Sequence, residues 1–282
     1  MALKIQNLKN KKLELVNKGD LSLLFIGVGS AFSKISNQTN FILIKGDDHV
    51  VIDCGTKTPQ ALYSMGIPVM NIENWIITHS HADHIGGLEE VILMNRFVKG
   101  VKTKLVVTEE YAKILWDYSL KGGSSFNVRT KGKYVGLDFY ADLLVPKKLK
   151  GFDRDIYEYN IGKINAKLIR TKHVPDSARS WKDSFWSVAV LIDDRILFTC
   201  DMMYDKDFID LCEKNFNVEY IFHDCQLFNG GVHASLDELK QLPAEIKKKM
   251  FLVHFGDNYK DFSPEKDGFA GFGKQMVYYN FK

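Results

Sequence analysis

The segment Thr78-His79-Ser80-His81-Ala82-Asp83-His84-Ile85-Gly86-Gly87 carries the strongest chemical signal in the chain. Three imidazoles and one carboxylate lie between positions 79 and 84, and such groups are ligands that suit zinc and similar divalent metals. Because the loop is short, His79 and His81 can point at one ion, while Asp83 and His84, at a helix start, can point at a second. Structural zinc sites favour cysteine, which this segment lacks, so the pattern predicts an open, catalytic metal site.

The composition of the 282-residue chain is that of an ordinary soluble globular protein, with 45% hydrophobic residues, 26% charged residues and a net charge of +3. A net charge this small does not by itself indicate that the protein binds nucleic acid. No apolar run approaches the roughly 18 residues of a membrane span, and the first residues show no signal-peptide pattern. The four cysteines form no CxxC pair and indicate no disulfide framework. We therefore expect a cytoplasmic protein with no membrane partner.

Apolar and alternating runs along the chain predict a mixed α/β fold. Early strands are predicted at residues 13–16, 21–26, 41–44, 50–52 and 74–78. Residues 85–97 have helical spacing, and the Gly/Ser-rich segment 121–125 is predicted to be a mobile loop. Because no repeat, low-complexity segment or linker interrupts the pattern, we expect one domain over residues 1–282.

Further candidate ligands each follow an apolar, strand-like run later in the chain. They are His173 after residues 166–170, Asp201 after 196–200, His223 with Asp224 after 220–222, and His254 after 251–253. In open α/β sheets, sites lie at the carboxyl ends of strands, so these side chains can reach one sheet edge. A single histidine in such a place is typical of core or surface packing. The repeated arrangement, together with the 79–84 segment, favours a shared metal site.

On these residues the chain resembles the metallo-β-lactamase-fold hydrolases over nearly its whole length. Their HxHxDH motif corresponds to residues 79–84, and their later ligands correspond in order to His173, Asp201 and His254. The resemblance implies an α/β fold, the αββα sandwich, with a site for two divalent metal ions at one edge. The expected ion is Zn²⁺, with Mn²⁺ as the alternative, since His/Asp sites accept several metals.

The resemblance also implies a role for each site residue. The first metal would be held by His79, His81 and His173. The second would be held by Asp83, His84 and His254, and Asp201 would bridge the two ions. Asp53, at the end of an earlier strand, would support the metal loop. Asp83 is further expected to accept a hydrogen bond that orients the nucleophile, which makes it a candidate catalytic residue.

The last third of the chain is similar to the branch that contains tRNase Z and cyclic nucleotide phosphodiesterases. Phe222-His223-Asp224-Cys225 stands where that branch often has a His-Glu pair, and Gly231-Val232-His233-Ala234-Ser235 resembles its later His-Ser motif. By this resemblance His233 would protonate the departing alkoxide and Asp224 would orient it, a general acid worth about 10²–10⁴-fold. The alternative is that the segment only caps a helix near Leu236, which Ser235 can do alone.

Two departures from tRNase Z narrow the expected substrate. Only residues 174–200 separate His173 from Asp201, which leaves little room for the tRNA-binding arm that bacterial enzymes commonly have there, and Asp224 replaces the usual glutamate. We therefore expect hydrolysis of 3′,5′-cyclic nucleotides to linear nucleoside monophosphates, as in the phage anti-Pycsar type, which destroys immune cyclic nucleotides. RNA is the less favoured substrate. The alternatives are a tRNase Z-like endoribonuclease, another ester or thioester hydrolase, and a non-catalytic metal- or nucleotide-binding protein.

Aromatic side chains near the ligands are candidates for contact with a nucleobase. They are Trp181, Phe185 and Trp186, with Tyr204 and Asn258 as weaker candidates. Stacking of a base on an aromatic ring is worth about 1–3 kcal/mol, but packing in the core or in a dimer also explains these rings. The segment 116–126 could form a lid or dimer element, and the resemblance implies a homodimer.

Overall fold

Two β-sheets packed face to face form the centre of the protein, whose computed structural model describes residues 3–8, 10 and 12–282. In chain order the strands are β1 (Leu3–Asn7), β2 (Leu21–Gly27), β3 (Asn40–Lys45), β4 (Asp48–Ile52), β5 (Asn74–Ile76), β6 (Thr103–Val106), β7 (Arg129–Thr130), β8 (Lys133–Tyr134), β9 (Ala141–Leu144), β10 (Lys147–Lys148), β11 (Ile156–Ile161), β12 (Ile164–Arg170), β13 (Val188–Ile192), β14 (Ile196–Phe198), β15 (Tyr220–Asp224), β16 (Met250–Val253), β17 (Gly271–Phe272) and β18 (Val277–Phe281). The first sheet has the order β1-β18-β2-β3-β4-β5-β6-β9, the second runs consecutively from β10 to β17, and β7 and β8 form a separate hairpin.

Short helices connect the strands and cover the sheets. The α-helices are α1 (Thr58–Ser64), α2 (Ala82–Ile85), α3 (Leu88–Leu93), α4 (Glu109–Leu115), α5 (Lys121–Ser124), α6 (Leu137–Tyr140), α7 (Lys206–Asn215), α8 (Leu236–Leu239) and α9 (Ala244–Lys247). Helices α3 and α4 continue as π-helical turns over Met94–Lys99 and Trp116–Leu120. No helix in the described ranges is long and apolar enough to cross a bilayer.

Aromatic rings from both sheets meet in the space between them. Phe41 of β3 stacks on Phe198 of β14 with ring centroids 4.1 Å apart, and Phe25 of β2 meets Phe222 of β15 at 5.1 Å. These four side chains are almost completely buried. Aromatic pairs at such separations add to the stabilisation that burial of their area already gives. The inter-sheet core therefore holds the two halves of the sandwich in register.

Alternation along the strands shows that both outer faces are covered. Since successive side chains of a strand point to opposite faces, Leu24 next to Phe25 must face away from the second sheet, yet it is fully buried. Helix α1 contacts β2 on the first sheet. On the second sheet, Ile221 belongs to a separate apolar cluster with Phe208 of α7 and Leu239 of α8. The order helix, sheet, sheet, helix confirms the predicted αββα sandwich.

Two local predictions were wrong. Residues 13–16 form no strand, because only Leu13 is buried there, where its amide donates to the carbonyl of Met65 beyond α1. The segment 121–125 is not an open loop: it forms α5, and Ser124 and Ser125 are buried. Strand β18, which pairs with β1 on one side and β2 on the other, was not predicted from the sequence.

Parallel pairing brings the candidate ligands to one edge. Strands β4, β5 and β6 run parallel in the first sheet, and β14, β15 and β16 run parallel in the second. Asp53 directly follows β4, the metal loop follows β5, Asp224 ends β15 and His254 follows β16. The carboxyl ends of parallel strands lie at one edge of a sheet, and sites form there. The fold therefore delivers side chains distant in sequence to one place.

Candidate metal centre

Three histidines and Asp201 form the first group of potential ligands. Nε2 of His79 and Nε2 of His173 lie 3.1 and 3.2 Å from Nδ1 of His81. Oδ2 of Asp201 lies 3.7 Å from the His79 nitrogen and 3.9 Å from the His173 nitrogen. Ligand atoms that share one zinc ion at about 2.0–2.2 Å in tetrahedral geometry are separated by about 3.3 Å. The spacing of this group fits one divalent ion.

Asp83, His84, Asp201 and His254 form the second group. Oδ2 of Asp83 lies 3.3 Å from Nε2 of His84 and 3.2 Å from Nε2 of His254. Oδ1 of Asp201 lies 3.2 Å from the same His84 nitrogen. All four residues are buried. Asp201 thus belongs to both groups, as the predicted bridging role requires.

Unsatisfied polar atoms show that this arrangement fits metal ions. Nε2 of His84 and Oδ1 of Asp201 are buried, and neither has a hydrogen-bond partner among the described residues. Buried polar atoms are rarely left without a partner, because burial without compensation is costly. A cation between these atoms would satisfy both of them. The donor set of imidazole nitrogens and carboxylate oxygens is also one that divalent metals accept.

The backbone turns sharply where three strands reach the site. Asp53, Cys200 and His254 have left-handed backbone conformations with φ of 63°, 51° and 62°. Each lies one or two residues beyond the end of a strand. Such conformations are unfavourable for residues other than glycine and persist where the surrounding structure enforces them. Here they turn the chain at the strand end and place Asp53, Asp201 and His254 at the cluster.

Asp53 supports the metal loop as predicted. Its carboxylate accepts hydrogen bonds from the amide of Thr78 at 2.8 Å and from the Thr78 hydroxyl at 2.7 Å. It also pairs with Nδ1 of His84 at 2.6 Å, which directs the other nitrogen of that ring toward Asp83 and Asp201. Outer carboxylates of this kind fix the orientation of ligating histidines. Thr78 was overlooked as a supporting residue, although its place directly before the motif was a signal.

The site concentrates negative charge away from solvent. The ion pairs of Asp53, Asp83, Asp201 and Asp224 among the described residues are all with histidines. Buried carboxylates need compensating positive charge. Burial opposes the charged form of His84, but Asp201 and then Asp83 outweigh it and raise the pKa of this imidazole. Two divalent cations would supply the compensating charge directly.

The first group is already in the protonation state that binds metal. Burial lowers the pKa of His79 well below its ordinary value and lowers the pKa of His173 to about 4. Both imidazoles are therefore neutral near pH 7. Metal ions bind the neutral imidazole, so no proton has to be displaced from these two residues.

Asp224 joins a partly exposed histidine to the metal site. Its Oδ2 accepts a hydrogen bond from Nδ1 of His233 at 2.7 Å, and its Oδ1 lies 3.3 Å from Nδ1 of His254. The amide of Met202 donates to Oδ2 at 3.0 Å and holds the carboxylate in place. Burial disfavours the charged imidazole, but the Asp224 carboxylate outweighs burial and raises the pKa of His233. His223, the residue directly before Asp224, is buried, and its Nδ1 donates a hydrogen bond to the backbone carbonyl of Asp224.

Of the predicted base-stacking residues, only Phe185 contacts the cluster. Its ring stacks on the His81 imidazole at 5.3 Å between centroids and 12° between planes. Trp186 is buried and packs on Tyr111, so it is a packing residue. Trp181 lines a separate cavity of about 470 Å³ beside α7, which contains no ligand of either group. Asn258 is exposed before a short 3₁₀ helix.

A cavity opens beside His233. It has a volume of about 230 Å³. Its lining includes His233, Lys172, Asp176, Tyr204 and Glu238. A proton on the His233 side chain can therefore reach a molecule that is bound in this cavity.

Comparison with known proteins places the chain in a family. The sequence profile described as anti-Pycsar protein Apyc1 matches residues 21–279. The chain belongs to this family. A relative from Bacillus phage BSP38 is 40% identical over 248 residues, covering 84% of this chain and 90% of the relative. One from Bacillus phage vB_BsuM-Goe3 is 38% identical over 268 residues, covering 90% and 97%. Both are described as anti-Pycsar protein Apyc1.

Solved structures confirm the fold. The metallo-β-lactamase-fold protein YhfI from Bacillus subtilis has a TM-score of 0.64 at 14% identity and covers 93% of this chain and 100% of its own. Human tRNase Z, short form, has a TM-score of 0.59 at 17% identity and covers 91% and 98%. A diphosphatase of the PhnP family has a TM-score of 0.63 at 14% identity and covers 93% and 98%. The chain therefore has the metallo-β-lactamase fold.

Replacement of Asp201 by alanine tests the shared ligand. Because its carboxylate lies between both groups, Asp201→Ala should lower the metal content from two ions per chain to one or none. The measurement is elemental mass spectrometry after dialysis against metal-free buffer. Asp142→Ala is the matched control, since Asp142 lies exposed on β9 and pairs with Lys102. Two ions per chain in Asp201→Ala would contradict the bridging role.

Proposed function

We propose that the protein is a dinuclear, metal-dependent phosphodiesterase. It opens 3′,5′-cyclic nucleotides to linear nucleoside monophosphates and thereby counters cyclic-nucleotide immune signalling. His79, His81 and His173 hold one divalent ion, Asp83, His84 and His254 hold the other, and Asp201 bridges them. Zn²⁺ is the proposed ion, with Mn²⁺ as the alternative. The observation that carries the proposal is the His233–Asp224 pair placed directly beside both ligand groups.

The two ligand groups supply one half of the chemistry. When bound, two divalent cations lower the pKa of a water nucleophile and neutralise the charge of a phosphodiester. The chain holds its own imidazoles neutral in the first group and surrounds the second with carboxylates. Asp83 has a second task in this proposal, because its carboxylate borders the second group and can accept a hydrogen bond from the attacking water.

His233 and Asp224 supply the other half. Asp224 accepts the hydrogen bond from Nδ1 of His233, which leaves Nε2 as the nitrogen that carries the transferable proton. As the bond from phosphorus to the ribose oxygen breaks, that oxygen takes the proton from Nε2. The raised pKa of His233 keeps more of the imidazole in the acid form near neutral pH. Proton donation by a positioned histidine accelerates such steps by about 10²–10⁴-fold.

The Ser235 cap does not explain His233. Ser235 begins α8 with a complete capping box, in which its hydroxyl accepts from the amide of Glu238 and the Glu238 carboxylate accepts from the Ser235 amide. His233 takes no part in that cap and pairs with Asp224 instead. The pairing supports the acid role over the capping alternative.

Three observations support a small substrate. The relatives are described as anti-Pycsar proteins, a name that matches the destruction of immune cyclic nucleotides. Between His173 and Asp201 the chain has only one loop followed by β13 and β14. A protruding arm for tRNA has no place there. The cavity beside His233 has room for part of a mononucleotide next to the proton donor.

Product analysis tests this function. Purified protein with zinc or manganese is incubated with purine and pyrimidine 3′,5′-cyclic nucleotides, and the products are separated by chromatography. We expect linear monophosphates, with turnover abolished by a chelator and restored by added metal. Intact cyclic nucleotides in the presence of two bound ions would contradict the proposal, and cleavage of a precursor tRNA in parallel would then favour an endoribonuclease.

Leaving-group dependence tests the role of His233. His233→Ala should retain its metals but lose about 10²–10⁴-fold in kcat on a cyclic nucleotide, whose ribose alkoxide needs a proton. Bis(p-nitrophenyl) phosphate has a leaving group that needs little protonation, so its hydrolysis should decline much less. His49→Ala is the control, because His49 lies on β4 and its Nε2 accepts a hydrogen bond from the amide of Glu73. Equal losses on both substrates in His233→Ala would rule out the acid role.

We also infer that the protein is a homodimer that acts in the cytoplasm. The rings of Tyr118, Phe126 and Tyr134 are exposed, and Phe126 and Tyr134 line the same surface cavity. Exposed apolar surface of this kind marks association sites. A monomer mass by light scattering at micromolar concentration would contradict the dimer, and recovery in a membrane fraction would contradict the location.

A further inference from the structure

Helix α4 reaches the metal loop because of the strand order. The metal loop follows β5, and α4 follows β6 after a short connection. Strands β5 and β6 are parallel neighbours in the first sheet, so both connections leave the same edge side by side. The first turn of α4 therefore lies against the segment that carries His79 and His81. None of the ligand roles proposed above uses a residue of this helix.

Tyr111 of α4 contacts the metal loop through its hydroxyl. The hydroxyl lies 2.9 Å from Oγ of Ser80, the residue between His79 and His81. Tyr111 is 1% exposed. Burial raises the pKa of the Tyr111 phenol, so it stays protonated and can share a hydrogen bond with Ser80. The amide of Tyr111 donates to Oγ1 of Thr108 at 3.2 Å, a helix cap that fixes the tyrosine backbone.

The ring of Tyr111 packs on a second segment, and that segment in turn contacts the metal loop. It stacks on Trp186 at 6.3 Å between centroids and 10° between planes. The guanidinium of Arg170 also lies over the Trp186 ring, 4.3 Å from its centre. Trp186 directly follows Phe185, whose ring lies against the imidazole of His81. Tyr111 thus contacts Ser80 directly and packs on the residue next to the one that covers His81.

We propose that Tyr111 is a positioning residue for the first metal: its hydroxyl holds Ser80, and its ring holds the segment that packs Phe185 on His81. The inference rests on the proposed metal centre but not on any particular substrate. His81 is the ligand with the greatest need for such support, because its side chain is partly exposed, whereas His79 and His173 are fully buried. Residues that orient ligands without touching the metal change metal affinity by about 10–100-fold when they are removed.

The conservative variant Tyr111→Phe removes only the hydroxyl and keeps the ring. We expect the zinc dissociation constant of the first metal, the ion held by His79, His81 and His173, to rise about tenfold or more in this variant. Ser80→Ala removes the same hydrogen bond from the other side and should have the same effect. The double variant should lose no more than either single variant, since both remove one interaction. Competition titration of full-length, metal-stripped protein against a chromophoric chelator measures these constants, and cobalt absorption spectra report a changed ligand geometry.

Tyr140→Phe is the matched control. Tyr140 is also fully buried, and its hydroxyl donates to the carbonyl of Ser124 while its ring packs on Phe139 and Trp116. Both variants should lose similar stability toward urea in the metal-free state, but only Tyr111→Phe should lose zinc affinity and change the cobalt spectrum. An unchanged zinc constant in Tyr111→Phe, or an equal loss in Tyr140→Phe, overturns the positioning role. Wild-type protein that binds neither zinc nor manganese overturns the proposed metal centre itself.

Discussion

Four carboxylates buried within reach of one another are the constraint on which the rest of the structure depends. Asp53, Asp83, Asp201 and Asp224 pair with imidazoles, and none of their ion pairs in the described ranges involves lysine or arginine. Imidazoles alone compensate such charge only when they are protonated. Nearby carboxylates raise the pKa of His84 and His233, but burial lowers the pKa of His79 and His173. A pair of divalent cations resolves the imbalance, because each ion brings two positive charges into contact with the carboxylates.

The fold is organised to meet that constraint. Parallel strands in each sheet end at the same edge, and left-handed residues at Asp53, Cys200 and His254 turn the chain at the strand ends. Hydrogen bonds help to hold these unfavourable conformations, such as that from the His254 amide to the carbonyl of Val28. The same edge leaves His233 partly exposed beside a cavity. The same arrangement of strand ends therefore positions both the metal ligands and the proton donor.

The parts of the site that sequence could predict are those with a local chemical pattern. Residues 79–84 are informative because the spacing of four ligands is contained in one loop, and His173, Asp201 and His254 are informative because each follows an apolar strand. Asp224 also follows an apolar run, but its role beside His233 was predictable only through resemblance, and its second contact, with His254, depends on the pairing of β15 with β16. Trp186 and Phe185 are adjacent and chemically alike, yet one packs on Tyr111 and the other on His81. The sequence cannot tell which of the two rings packs on His81, since the difference arises from the direction in which each ring leaves a loop.

The position of β18 could not be predicted either. This strand is short and lies far from β1 in sequence, so no local pattern indicates that it inserts between β1 and β2.

Anomalous X-ray diffraction at the zinc absorption edge, on crystals grown with zinc, is the direct test of the dinuclear centre. We expect two peaks in each chain, one in contact with His79, His81 and His173 and the other with Asp83, His84 and His254. The carboxylate of Asp201 should touch both. A single peak, or peaks away from Asp201, would contradict the dinuclear centre and with it the mechanism built on it.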